Sequence, residues 1–544
     1  MPPLRNHPAY TAQDRFLSLK ILLSLLLTLH AVQAKFALTE DAKFFTIDCE
    51  STPAVVVKVN KANGNLQSIR VNDTELQKNS RGSHINSGFG NSSVTSRSFG
   101  QDRILITVEK PELVHYYAFQ KGSPAVFMAT WAVKCPHPGE MRFIARLDSR
   151  VLNRGNIARP NDNTSSKIIE GKDIFIHPNG NTHSKFYSAV RFIDDAIHGS
   201  RGDKIGAYFA IGSYESSSGG PFFRDINSQT AGDTEEIYFY MFSGHAQTEP
   251  FRKDQLHGPY ALCFTEGPPP AMPAMNWMKD LGLRAWVSQR GRVTGTATRL
   301  LPGVPYTAYL SNEIAQYWTR IDANGKFTST AMKPGTYSLR LMRNELAVAE
   351  TQVTVTHADT ASVQLQDPGL PSYLWRLGLP DGTPQGFRNA SKMSDMHPSD
   401  KRHQAWGPLT FNIREPVPKN LSDFPAIQWR DINNRNRIVF SLKPSQIKDR
   451  DLEIGITVSQ FASRPIVRVN DRWTHRAPAA PRTYDSRSIT FGIHRGFDHV
   501  HSIRIPKSAF NAGENSLTLE NISGSGGSGF LSNAFVYDFI GLRD

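Results

Sequence analysis

"EMRFIARLDS", from Glu140 to Ser149, reads as a β-strand. On a strand, successive side chains point to opposite faces. Met141, Phe143, Ala145 and Leu147 then share one face, which is apolar throughout and suits a core. Arg142, Ile144 and Arg146 share the other. The same reading extends outward to "AVVVKVN" (Ala54 to Asn60), "RILITVEK" (Arg103 to Lys110), "AVFMATWAV" (Ala125 to Val133) and "KIGAYFAIG" (Lys204 to Gly212). Turn clusters rich in Gly, Asn and Ser separate these runs. One short helical stretch, "MNWMKDLGL" (Met275 to Leu283), follows the proline-rich "GPPPAMPAM" (Gly267 to Met275). The expected fold is all-β.

A chain of 544 residues is too long for one core, and roughly two to four domains are expected. The proline-rich linker closes a large β-sandwich at residues 35–284. The strands "GRVTGTAT", "PYTAYL", "GTYSLRLM" and "ETQVTVTH" then recur at regular spacing. They suggest a compact sandwich like a fibronectin type III domain over residues 285–367. "LQDPGLPS" (Leu365 to Ser372) ends it. Residues 368–544 contain "NRIVFSL", "LEIGITV", "NSLTLEN" and "AFVYDFIGL", which read as a second sandwich of jelly-roll type. "GSGGSG" (Gly524 to Gly529) matches a dinucleotide-binding glycine pattern, but strand-like sequence follows it where that site needs a helix. It reads as a glycine loop.

Residues 1–34 stand apart. Arg5, Arg15 and Lys20 give a basic start, "ILLSLLLTL" (Ile21 to Leu29) is too short to span a bilayer, and "VQA" ends at Ala34 with small residues. This is a secretory signal pattern, so an extracellular chain is expected, with no membrane association after cleavage. Cys49, Cys135 and Cys263 allow at most one internal bridge, or buried thiols. Sequons at Asn72, Asn91, Asn163, Asn389, Asn420 and Asn521 are candidate glycan sites. The net charge is +13. An anionic partner is one reading, and solubility alone is the other. No basic run or binding module points to nucleic acid, and an acidic polysaccharide fits an exported chain.

Three segments carry candidate chemistry. Arg142 and Arg146 present two guanidinium forks on one strand face, suited to carboxylates or simply to solvent. "SKFYSAVRFIDD" (Ser184 to Asp195) reads as a strand with Lys185, Tyr187 and Arg191 on one face. A lysine near arginines loses its proton more readily and can serve as a base. "YFYMFSGHAQTE" (Tyr238 to Glu249) places Tyr238 and Tyr240 on one face, with His245 just past a Ser-Gly break. Each feature alone has an ordinary structural explanation. Their sum, on three strand-like segments, suggests a site.

Together with "KGSPAVFMATW", "SSSGGPFFRDIN" and "LHGPYALCFT", these segments resemble the rhamnogalacturonan lyases of polysaccharide lyase family 4. The resemblance covers nearly all of the chain after residue 34. It implies a catalytic β-sandwich, a fibronectin-like middle domain and a C-terminal jelly-roll, carbohydrate-binding-like domain. It also implies β-elimination on rhamnogalacturonan I at the bond from rhamnose to O4 of galacturonate. On that resemblance Lys185 is the base and His245 the acid. Arg142 pairs with the galacturonate carboxylate, Arg146 lies beside it in the cleft, and Tyr238 and Tyr240 line the sugar site. No acidic cluster suggests a catalytic metal, so no cofactor is expected for catalysis, while a structural calcium stays open. A monomer is expected. Two other readings remain. A glycoside hydrolase on the same polymer would use two of Asp194, Asp195, Glu215, Asp225 and Glu249. A pectin-binding protein would only hold the polymer. Trp406, Trp429 and Trp473 could be exposed sugar platforms or core.

Overall fold

A computed structural model describes residues 36–78, 80–137, 139–155, 167–171, 174–483, 488–524 and 526–544. The signal-like segment 1–34 and the sequon at Asn163 lie outside the described residues. No described helix is long and apolar enough to cross a membrane.

The molecule is all-β, as the period-two pattern predicts. Near its N-terminus, five strands from Ala37–Glu40 to Thr74–Glu75 form an antiparallel meander. An eight-stranded sheet follows, with Gln255–Thr265 and Ala125–Ala132 at its centre. A four-stranded sheet has the order Ser228–Ala231, Thr234–Phe242, Met141–Asp148, His84–Ile85. The apolar face of Met141, Phe143, Ala145 and Leu147 packs, with Ile237, Phe239 and Met241, against Met128, Phe209, Tyr260 and Leu262 of the larger sheet. Burying one such side chain stabilises the fold by about 1.5–3 kcal/mol. A one-residue slip of Met141–Asp148 would drive Arg142 and Arg146 into that core, so the register is strongly specified.

Residues 292–366 build a smaller two-sheet sandwich around Tyr337, Leu339 and Leu310. Residues 373–543 build another, from two five-stranded sheets. Trp406 and Trp429 are buried in its core and Trp473 packs against it. Trp406 and Trp429 are therefore core residues, not exposed platforms, while Trp473 is half-buried. The helical stretch is a 3-10 turn, Asn276–Leu281, ended by Gly282 with φ of +72°, a conformation glycine adopts without strain.

One expected strand is absent. Ser184 to Asp195 forms two 3-10 turns, Lys185–Ser188 and Phe192–Asp194, joined by extended backbone. The Ser184 hydroxyl accepts from the Phe186 amide and so starts the first turn. Lys185, Tyr187 and Arg191 consequently share no strand face. Two sequons also lose their standing. Asn521 is buried, with its side-chain amide donating to the carbonyls of Gln428 and Asn533. Asn389 is buried and donates to the Gln404 carbonyl.

Buried imidazoles set a pH dependence. Burial pushes His115, His257 and His494 down to about 3, and His84, His403 and His501 down to about 4, from an ordinary 6.5. These six stay neutral when folded but take up protons when unfolded. Their contribution is complete above pH 6.5 and falls, by about 1.4 kcal/mol per pH unit per group, as pH drops towards their folded values. Four groups oppose this. Burial raises the carboxyls of Asp381, Asp498 and Asp538, and Asp195 outweighs burial to raise His198. With six groups against four, the thermal midpoint should fall between pH 6.5 and pH 4. Calorimetry at half-unit steps checks this, and a flat or rising midpoint would refute it.

Candidate active site

The outer face of the four-stranded sheet carries the site. Arg142 pairs in register with Tyr240, Ile144 with Tyr238, and Arg146 with Glu236. The Tyr238 and Tyr240 rings stack with centroids 5.7 Å apart. The Arg142 guanidinium lies 5.3 Å from the Tyr240 ring and 6.0 Å from that of Tyr238, within the range of cation–π attraction. Arg142 also pairs with Glu140.

His245 stands at the end of this row, beyond the strand Thr234–Phe242, as the Ser-Gly break suggests. Its Nδ1 lies 3.2 Å from Asp225 Oδ1, and its Nε2 lies 3.8 Å from Glu140. Ser243 ties the group together. Its hydroxyl donates to Asp225 and accepts from the His245 amide at 3.1 Å. The ring also meets Tyr240, centroids 6.1 Å apart, and Phe186, 5.4 Å apart. Phe186 immediately follows Lys185, whose Nζ lies 5.9 Å from the Phe175 ring centroid. The capped turn therefore brings Phe186, the neighbour of Lys185, against His245, by a route other than the expected strand.

Arg146 is placed differently from the expectation. It is buried, and its guanidinium reaches Glu236 at 3.0 Å, His84 Nε2 at 2.6 Å and the Gly82 carbonyl at 3.4 Å. Those partners draw it along the sheet and away from an open cleft. Glu236 in turn accepts from the Tyr238 hydroxyl, which Gln229 also contacts at 2.5 Å. Arg146 thus supports Tyr238 through Glu236, and Tyr238 and Tyr240 are themselves buried, packed with Ile144, Phe186 and Ile226.

Four carboxylates proposed for hydrolysis are held elsewhere. Asp194 pairs with Arg191 and Arg320, and Asp195 with His198. Glu249 pairs with Arg252 and Tyr309. Glu215 is clasped by Arg290, Lys333 and Tyr317. Burial penalises its charge, but these partners hold its carboxyl below the usual range. Asp225 alone of the five touches His245. Glu140, Ser243 and the orienting part played by Asp225 escape sequence reasoning. Only their nearness in sequence to Arg142 and His245 hints at Glu140 and Ser243.

Residues 36–285 match the family description "Rhamnogalacturonan lyase B, N-terminal". Residues 289–363 and 373–542 match domains II and III of polysaccharide lyase family 4. The chain is 39% identical over 527 residues to rhamnogalacturonate lyase A of Emericella nidulans, covering 96% of this chain and 98% of that one. This chain belongs to polysaccharide lyase family 4. The same protein of Aspergillus aculeatus is 39% identical over 523 residues, covering 95% and 97% of the two chains. Membership fits the all-β, three-part architecture. The family 4 chain carries Arg142, Tyr238, Tyr240 and His245 on its N-terminal part, within the first matched region.

Proposed function

We propose that the chain is a secreted rhamnogalacturonan lyase that cleaves the rhamnose-to-galacturonate O4 bond of rhamnogalacturonan I by β-elimination. The supporting observation is the single face that holds a guanidinium on two aromatic rings beside a carboxylate-oriented imidazole. Arg142 receives the galacturonate carboxylate in a bidentate fork, which makes the C5 proton more acidic. Lys185 acts as the base that removes that proton. The electron pair forms the C4–C5 double bond and the C4–O4 bond breaks. His245 gives its proton to O4, so the leaving rhamnose departs as a neutral alcohol. Tyr240 and Tyr238 line the sugar site from beneath Arg142, whose guanidinium they hold by their ring faces. The proposed partner is the polysaccharide, and the catalytic cation is arginine rather than a metal or other cofactor.

The test is the product. Elimination leaves a 4,5-unsaturated galacturonate that absorbs in the ultraviolet, whereas hydrolysis does not. The purified chain should raise ultraviolet absorbance on rhamnogalacturonan in step with new reducing ends. New reducing ends without absorbance would mean hydrolysis, and binding with neither would leave only a pectin-binding protein.

Asp225 fixes which nitrogen of His245 faces the leaving oxygen. Asp225→Asn should lower turnover by about 10²-fold or more, because the imidazole loses the carboxylate that orients it and supports its proton-donating form. Substrate affinity should change little. Steady-state kinetics check this, and unchanged turnover would remove Asp225 from the machinery.

A further inference from the structure

The turn that carries Lys185 is held from outside its own domain. Thr182, three residues before the lysine, is buried. Its amide and its hydroxyl donate to Asp400 Oδ2 at 2.5 and 2.8 Å. Its carbonyl accepts from Arg402 at 2.9 Å, and Arg402 also pairs with Asp400 at 2.8 Å. The Thr182 hydroxyl accepts from the His397 amide at 3.0 Å. One residue before the lysine, Ser184 caps the turn and donates to the Phe491 carbonyl at 3.1 Å. One residue after it, Phe186 stacks on Phe491, centroids 5.4 Å apart and planes 15° apart. Upstream on the same hairpin, Glu170 meets His397 at 3.4 Å and Thr490 at 3.0 Å. All these partners belong to the C-terminal sandwich.

We infer that the C-terminal sandwich is a working part of the active site, with Asp400, Arg402 and Phe491 acting as positioning residues for Lys185. The inference rests on the proposed role of Lys185 as base. Its physical reason is the short 3-10 turn. Four residues with poor internal hydrogen-bond geometry do not hold a lysine in place by themselves. Hydrogen bonds on the residues before it and a ring stack on the residue after it fix the backbone on both sides. A base must sit within hydrogen-bond reach of the proton it removes, and a shift of about 1 Å can cost about 10²-fold in rate. A domain that merely tethered the enzyme to polymer would need no contact with this turn.

The test uses the full chain with Asp400→Ala, Asp400→Asn, Thr182→Val and Lys185→Ala. All are assayed on rhamnogalacturonan well below each variant's thermal midpoint. Asp400→Ala should lower kcat about tenfold to a hundredfold while KM stays within about twofold. Asp400→Asn keeps an acceptor for Thr182 and should recover part of that loss. Thr182→Val keeps the shape, loses the hydroxyl and should fall between them. A lower midpoint with unchanged kcat would make the contact structural only and overturn the inference. A raised KM with unchanged kcat would make the C-terminal sandwich a polymer-binding module and overturn it too. Lys185→Ala separates the two ideas. If it retains normal turnover, the base assignment itself fails. If it is inactive while Asp400→Ala is normal, only the positioning role fails.

Discussion

Lys185→Ala and His245→Ala should each lose roughly 10²–10⁴-fold in turnover, the usual contribution of a general base or acid. The two losses should differ in their dependence on the leaving group. Lys185 acts at C5, where the barrier is proton removal, so its loss should be felt by every substrate. His245 acts at O4, so its loss should matter less when the departing group is a good one. An oligosaccharide carrying an activated phenol at O4 would therefore recover part of the His245→Ala defect but not the Lys185→Ala defect. Neither change should unfold the chain. Lys185 lies on a turn capped by Ser184, and His245 follows a strand whose register is set by eight pairings with Met141–Asp148. The measurement is initial-rate kinetics on both substrates, with circular dichroism as a folding control. Near-normal turnover of either variant on the natural polymer would refute its assignment.

Arg142→Lys should lower specificity by about 10²-fold or more, the usual cost of one donor to a developing oxyanion. As C5 loses its proton, negative charge builds on the carboxylate, so the bidentate contact is stronger in the transition state than in the ground state. Lysine keeps the charge but not the planar fork, and it stacks less well on the Tyr240 ring. The loss should therefore appear in kcat as well as in KM. Glu140 sharpens the comparison, because it pairs with Arg142 in the free protein. A substrate carboxylate must displace or share that partner, and a compact ammonium would stay with Glu140. Arg146→Lys should be milder, since Arg146 acts on Tyr238 only through Glu236. A change in KM alone for Arg142→Lys would leave Arg142 as a binding contact and require another cation at the carboxylate.

The fold was legible because its signal is local. The alternation in "EMRFIARLDS" needs nothing beyond strand pleating to place Arg142 on the face opposite Phe143. The two tyrosines and the Ser-Gly break before His245 follow from the same rule. Reading failed where a segment takes its hydrogen bonds from far along the chain. Ser184 to Asp195 alternates like a strand, yet its partners include Phe491, which sequence spacing cannot pair with it. Arg146 failed for a related reason. Its face was right, but whether a guanidinium reaches solvent depends on His84 and Glu236, which lie on neighbouring strands. Asp225 has no periodic pattern at all. It becomes meaningful only when Ser243 and His245 fold back onto it.

All three cysteines are unbridged. Burial pushes the Cys49 and Cys263 thiols up to about 12 and that of Cys135 to about 11, so none is a thiolate at neutral pH. Thiolates are what attack disulfides and oxidants, so these sulfurs are poor reagents in either redox state of the surroundings. The practical result is a protein indifferent to redox environment. It should fold in a reducing cytoplasm and tolerate thiol reductants, because no disulfide holds its native structure together.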